Sequence, residues 1–255
     1  MRIAITPSSA QGSALAASII VPLVSPGFRL GVATGSTPEG LYAQLRQAHA
    51  AGEFTLAGSR AWALDEYIGI DQDHLQRYRN VLKRELVGED KTGLADADLH
   101  TPDGLSADPE ESAKLYEESI APGLDLQILG LGADGHIGFN EPSGSLSAPT
   151  NVVTLAPQTR RDNARFFDGV EADVPKRAIT QGLATIMTAK KIVLLAFGEQ
   201  KAQAIQGVVE GPVSAFCPAS ILQYHQDVTV IVDDAAAGAL KLADYYRETW
   251  DSAQV

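Results

Sequence analysis

Six short runs are apolar almost throughout and do not alternate with polar residues: RIAI at 2–5, RLGVA at 29–33, RAWAL at 60–64, LQILGL at 126–131, KIVLLAF at 191–197 and VTVIV at 228–232. A strand that shows one face to water alternates, whereas one buried on both faces does not, so these runs call for a parallel sheet covered by helices on each side. The stretches between them supply the helices, with amphipathic segments at about 9–24, 38–50, 75–87, 108–121, 199–210 and 234–248. The pattern predicts an α/β fold, a Rossmann-like three-layer sandwich with a mostly parallel central sheet. No repeat, low-complexity tract or Gly/Ser-rich linker interrupts it, and 255 residues suit one α/β unit, so a single domain over 1–255 is expected.

Residues 141–180 break this rhythm. EPSGSLSAPT, LAPQTRRDNARFF and DVPKRAIT mix polar turns with Arg160, Arg161, Arg165, Lys176 and Arg177. A polar insertion between two buried strands is where a lid would sit, here at about 155–180, the alternative being a solvated loop without a role.

A formal charge of -12 argues against nucleic acid and anionic membrane as partners. It does not exclude a small anion, because local donors act inside the roughly 8–10 Å over which salt screens the distant field. The amino terminus MRIAITPSSA lacks a charged stretch followed by an apolar one, and no run approaches the roughly 20 apolar residues of a membrane span, so a cytoplasmic protein is expected. Cys217 is the only cysteine, which rules out an internal disulfide; between Phe216 and Pro218 it reads as a small buried hydrophobe rather than a nucleophile. The histidines (49, 74, 100, 136 and 225) show no helical ligand spacing, and no metal is expected.

Three stretches carry chemistry. After RLGVA comes TGSTPEGLYAQL, in which Thr37 is placed as a helix cap, Pro38 as the first helical residue, and Leu41 and Leu45 as the buried stripe. Thr34, Gly35, Ser36 and Thr37 then offer hydroxyls, free amides and the positive helix end to an anion; a merely well-capped helix is the alternative. Leu41 and Tyr42 stand where a nucleotide-triphosphate loop needs Lys and Ser or Thr, so a phosphomonoester fits better. In RAWALDEYIGI the apolar strand ends in Asp65 and Glu66. A carboxylate at the carboxyl end of a parallel strand is a candidate acid or base, or else a turn former. In ILGLGADGHIGFNEP, Gly130, Gly132 and Gly135 match a dinucleotide-binding turn, but Asn140, Pro142, Ser143 and Gly144 stop any following helix and no acidic residue lies between 142 and 161 to hold a ribose. The glycines read instead as a turn pressed against a substrate. His136, flanked by Asp134 and Glu141, is a candidate proton carrier, or a histidine bonding the turn backbone.

Taken in order, ATGSTPEGLY, LDEYIGI, LGLGADGHIGFNEP, ARFFD, VPKRAIT and GEQKAQAI resemble the glucosamine-6-phosphate deaminase family of glucosamine/galactosamine-6-phosphate isomerases, over about residues 30–232. The resemblance implies an enzyme that isomerises and deaminates glucosamine 6-phosphate to fructose 6-phosphate and ammonia in amino-sugar catabolism, a hydrolase that needs no cofactor. It assigns the proton shuttle between C2 and C1 to Asp65, and ring opening to His136 assisted by Asp134 and Glu141. The phosphate falls to Thr34–Thr37 with Arg165 and Lys201. Partners are then a small sugar phosphate and, at most, further copies of the chain, as a monomer or homo-oligomer.

Two positions depart from the family pattern. Asn151 and Val153 stand where allosterically activated members carry a basic pair, so no activation by N-acetylglucosamine 6-phosphate is expected; and Arg77-Tyr78 replaces a Ser-Tyr pair. Three rivals share the fold. A 6-phosphogluconolactonase would use the same anion site and histidine; a galactosamine-6-phosphate deaminase differs only in a C4 epimer. A sugar-phosphate-sensing regulator domain would need a DNA-binding segment, whereas the first strand is expected from residue 2 and the chain is acidic.

Overall fold

The computed structural model describes residues 1–252. In chain order the elements are β1 (Arg2–Thr6), α1 (Ser9–Ile20), β2 (Arg29–Val32), α2 (Ser36–Ala50), β3 (Arg60–Ala63), β4 (Asp65–Tyr67), α3 (Tyr78–Leu86), β5 (Leu99–His100), α4 (Pro109–Ile120), β6 (Leu126–Leu129), β7 (Asn151–Thr154), α5 (Pro157–Asn163), β8 (Arg177–Thr180), α6 (Leu183–Ile186), β9 (Ile192–Ala196), α7 (Ala202–Val209), β10 (Val228–Asp233) and α8 (Ala243–Ser252). All six apolar runs form strands of one seven-stranded sheet, order β1-β10-β9-β6-β2-β3-β5, with every pairing parallel.

Strand periodicity explains why these runs had to be apolar at consecutive positions. Along β9, Ile192, Leu194 and Ala196 enter one apolar cluster and Val193 and Leu195 the other. The first cluster is closed by Tyr116 and Ile120 of α4, Leu183 and Ile186 of α6, and Ile205 and Val208 of α7. The second is closed by Ala16 and Ile20 of α1, Leu41 and Leu45 of α2, and Leu82 and Leu86 of α3. Helices thus cover both faces, giving the three-layer sandwich, and each fully buried aliphatic side chain contributes roughly 1.5–3 kcal/mol.

The insertion builds a second sheet, antiparallel and in the order β4-β8-β7. The chain changes sheets between Leu64 and Asp65. Leu64 N–H still donates to Val32 O at 2.9 Å, whereas Asp65 is already paired with Thr180 of β8. The small sheet packs with the 155–174 segment around Tyr67, Ile70, Phe139, Leu155, Phe167, Val174 and Ala178. The 141–180 stretch is therefore not merely a solvated loop.

Several expected boundaries shift for identifiable reasons. α2 begins at Ser36, and its cap is Gly35 at φ 91, not Thr37: the left-handed glycine turns the chain into the helix early and leaves the cap without a side-chain bond. α3 begins at Tyr78, where the Glu66 carboxylate accepts the N–H groups of Tyr78 and Arg79. α1 ends at Ile20 and passes into a 3-10 turn, Val21–Leu23, at Pro22, which has no N–H to continue the helix. A 3-10 turn, Glu199–Lys201, precedes α7. The helix expected from 234 starts only at Ala243, because Asp233 accepts N–H bonds from Gly198 and Ala236 and folds the intervening residues into turns. Cys217 is half-buried, and burial pushes its thiol up, away from a reactive thiolate. Among the described residues, no helix is long and apolar enough to cross a membrane.

Candidate active site

A cleft of about 270 Å³ opens at the carboxyl ends of β2, β3 and β6, which is where a parallel α/β sheet leaves room for a ligand. Thr34, Gly35, Ser36, Thr37, Asp65, His136, Arg165 and Lys201 all line it. Asp134 and Glu141 do not; they stand behind His136.

At one end, α2 presents its amino terminus. No side chain caps it, so the first-turn amides remain available together with the Thr34, Ser36 and Thr37 hydroxyls. The loop is held by Tyr42, whose hydroxyl donates to Ala33 O at 2.6 Å and accepts from Ala33 N–H at 3.1 Å. Arg165 and Lys201 face the same space and make no ion pair or side-chain hydrogen bond among the described residues. Burial and then the Arg165 charge lower Lys201 from the usual lysine range, with Asp162 and Asp134 partly opposing. Two cations held together without a partner are relieved by a dianion between them.

At the other end, Asp65 is 6% exposed and its carboxylate accepts no hydrogen bond from another described residue. Burial, and then the charge of Glu66, push it well above the usual carboxylate range. A carboxylate kept basic and free of partners is equipped to take a proton from carbon.

His136 sits in a turn closed by Gly132 N–H to His136 O at 2.8 Å and Gly135 N–H to Gly132 O at 3.1 Å. A side chain on Gly132 would place its Cβ 2.3 Å from His136 Cε1, so only glycine lets the imidazole lie over the backbone here. This packing, not a pyrophosphate, accounts for the second glycine of the motif. His136 Nδ1 lies 2.6 Å from Asp134 Oδ1 and 3.7 Å from Glu141 Oε2; neither contact is aligned as a hydrogen bond, so the attraction is electrostatic. Burial tends to raise Asp134, but the imidazole and the His136 N–H outweigh it and hold the carboxyl below its usual value. Two carboxylates at Nδ1 keep the ring proton there and leave Nε2 for the substrate.

The Phe, Asn and Glu of F-N-E-P each make an identifiable contact. Phe139 packs against Tyr67 and Tyr78. Asn140 donates to Ile137 O and Gln181 O at 2.8 and 2.9 Å, pinning the turn. Glu141 Oε1 accepts from Ala156 N–H at 3.0 Å and Thr159 Oγ1 at 2.6 Å, tying the turn to the start of α5. Asp134, His136 and Glu141 also bring ligand atoms within 4.8 Å of one another, close enough for the three to share a cation.

Tyr78, Thr159, Asp162 and Asn163 line the cleft without having stood out in the sequence. Tyr78 donates to Tyr67 OH at 3.1 Å, and Asn163 Nδ2 to the same oxygen at 2.9 Å, so α5 is tethered over the cleft. Pro157 at the first helical position was the available signal for α5.

The family profile described as glucosamine-6-phosphate isomerases/6-phosphogluconolactonase matches residues 24–231. The chain is 50% identical to a glucosamine-6-phosphate deaminase of Arthrobacter sp. (strain FB24), over 99% of this chain and 97% of that one. It is 47% identical to the enzyme of that name from Streptomyces coelicolor, over 98% and 97%. Among solved structures it resembles a monomeric glucosamine-6-phosphate deaminase (TM-score 0.90, 37% identity, 94% of this chain and 100% of that one). A 6-phosphogluconolactonase from Trypanosoma brucei shares the fold (TM-score 0.74, 22% identity, covering 94% and 98%).

Proposed function

The chain belongs to the glucosamine-6-phosphate isomerase/6-phosphogluconolactonase family, and on that premise we propose that it converts glucosamine 6-phosphate to fructose 6-phosphate and ammonia. One observation favours this over lactone hydrolysis: two separate ionisable groups suited to carry protons, Asp65 and His136, line the same cleft from different strand ends. Hydrolysis of an ester needs one base to activate water, and a second buried carboxylate without a partner would only destabilise the fold. An aldose–ketose isomerisation needs one group to open the ring and another to move a proton between carbons.

In this reading the phosphate lies on the α2 terminus between Arg165 and Lys201, which sets the sugar's carbon chain along the cleft toward Asp65. His136 Nε2 takes the O1 proton and returns one to O5, opening the pyranose, with Asp134 and Glu141 stabilising the imidazolium. Asp65 removes the C2 proton, acidified by the C1 carbonyl, and delivers it to C1, giving a C2 imine. Water adds at C2 and ammonia leaves, so the reaction consumes one water. The 155–180 segment acts as a lid over the open-chain sugar, and the enzyme works in the cytoplasm on a diffusible substrate.

The test is ammonia release from glucosamine 6-phosphate, with galactosamine 6-phosphate and unphosphorylated glucosamine in parallel and acid release from 6-phosphogluconolactone as the counter-assay. Ammonia from the glucosamine phosphate is the expected result; acid from the lactone without ammonia from either amino sugar phosphate would overturn it.

A further inference from the structure

Glu66 takes no part in the scheme above, yet it is the more deeply buried carboxylate of the pair: its side chain is 0% exposed. Burial pushes its carboxyl up, and three backbone amides and then the Arg77 charge oppose that shift in favour of the anion. Oε1 accepts from Tyr67 N–H and Tyr78 N–H, both at 2.9 Å, and Oε2 from Arg79 N–H at 2.9 Å with Arg77 Nε 3.9 Å away. The last two amides open α3, so the carboxylate neutralises the positive end of that helix and locks it to β4. α3 in turn carries Tyr78, which lines the cleft and completes the tether to Asn163 through Tyr67. Arg77 Nε is buried and has no aligned partner, so its charge serves chiefly to offset Glu66.

We propose that Glu66 is a positioning residue for proton transfer at Asp65: it fixes the start of α3 against the strand that carries the base, and it maintains a negative charge beside that base which Arg77 moderates. The inference rests on the reading of Asp65 as the base. The remaining ionisable groups around Asp65 do not compete for this role. The phenols of Tyr67, Tyr78 and Tyr116 face it but burial keeps them protonated. Arg79 directs its guanidinium away, to Leu99 O at 2.6 Å and Asp96 at 3.0 Å. His136 also lines the cleft but is engaged by its own two carboxylates.

The sign follows directly. A fixed anion opposes ionisation of Asp65, so deleting it eases ionisation, and deleting the moderating cation does the reverse. The experiment measures kcat/KM for ammonia release from glucosamine 6-phosphate against pH in Glu66→Gln, Arg77→Met and Asp65→Asn. Glu66→Gln is expected to move the acid limb down by about one pH unit. Arg77→Met is expected to move it up by less. Loss of helix anchoring alone would lower the plateau in both variants without moving the limbs in opposite directions. Limbs that stay put, or move together, while Asp65→Asn is inactive, overturn the role of Glu66. An Asp65→Asn variant that keeps its activity overturns the base assignment itself, and this inference with it. If Glu66→Gln does not fold, Arg77→Met decides alone: an upward shift supports the proposal and an unmoved limb refutes it.

Discussion

Replacing Asp65 by Asn should make the protein more stable and nearly inactive at once. The side chain keeps its shape, but a buried carboxyl that receives no hydrogen bond and sits beside Glu66 becomes neutral. A carboxyl whose folded-state pKa is raised supports the fold while it is protonated and withdraws that support as pH rises through the folded value. The wild type therefore carries a penalty that builds from the ordinary carboxyl pKa of the unfolded chain up to the raised folded value and stays constant above it, and the amide lacks it. Relieving such a functional strain is typically worth about 0.5–2 kcal/mol. For a chain of this size 1 kcal/mol moves Tm by about 2–4 °C, so a rise of roughly 1–8 °C is expected. The gain should be larger at pH 8 than at pH 5, because only the carboxylate is penalised. Loss of a general base should lower kcat by about 10²- to 10⁴-fold. Calorimetry at the two pH values and an ammonia assay read both effects. A variant that is less stable than the wild type at pH 8, or one whose gain is greater at pH 5, would refute the claim that Asp65 is held as an uncompensated buried acid.

Further outcomes follow from the same geometry. Lys201→Met should raise KM for glucosamine 6-phosphate by about 10- to 100-fold, as loss of a charge-assisted hydrogen bond predicts, and should weaken competitive inhibition by inorganic phosphate in parallel; an unchanged inhibition constant would remove Lys201 from the anion site. Gly132→Ala, whose new methyl would overlap the His136 ring, should cut kcat at least 10-fold while far-ultraviolet circular dichroism stays native. Unphosphorylated glucosamine should lose kcat as well as affinity, because the anion contacts set the position of C2; normal kcat at saturating glucosamine would contradict this. N-acetylglucosamine 6-phosphate should leave the rate curve hyperbolic and unshifted, since Asn151 and Val153 line an adjoining cavity of about 290 Å³ whose walls carry no cation; activation by that ligand would show that another surface binds it.

The central sheet was legible because double-sided burial leaves an unmistakable composition: LQIL and IVLLA have no polar alternation to misread. The small sheet was not legible, because its strands are short and made by tertiary pairing. NVVT is only partly buried, and DEY reads as the tail of β3 until β8 captures it. β5 is two residues at the sheet edge, too short for any periodicity to register. The residues expected to bind phosphate or carry protons stood out as residue types at strand ends, and the cleft brings together those expected to touch a substrate. What sequence could not supply was the ring nitrogen at which the carboxylates act. It attached Asp134 and Glu141 to His136, and the fold adds that both approach Nδ1, at 2.6 and 3.7 Å, without lining the cleft themselves. Thr37 failed as a cap for a similar reason: glycine, serine and threonine all favour helix starts, and the left-handed backbone at Gly35 decided among them.

The two ends of the cleft solve opposite electrostatic problems in one acidic chain. At the α2 terminus, amides, Arg165 and Lys201 are collected with their charge unpaired, so that the arriving anion supplies the missing partner. At Asp65 the protein instead withholds donors and adds a neighbouring anion, so that the missing partner is a proton. In the proposed reading, binding the phosphate relieves the first frustration, and that free energy is available to hold C2 against the second. Neither arrangement favours the empty fold, and the turn that carries His136, with Gly132 cleared for the imidazole and Glu141 reaching the start of α5, ties the cleft to the 155–174 segment. A protein selected only for stability would have paired these charges internally; their lack of internal partners is what the proposed phosphate and proton-transfer roles require.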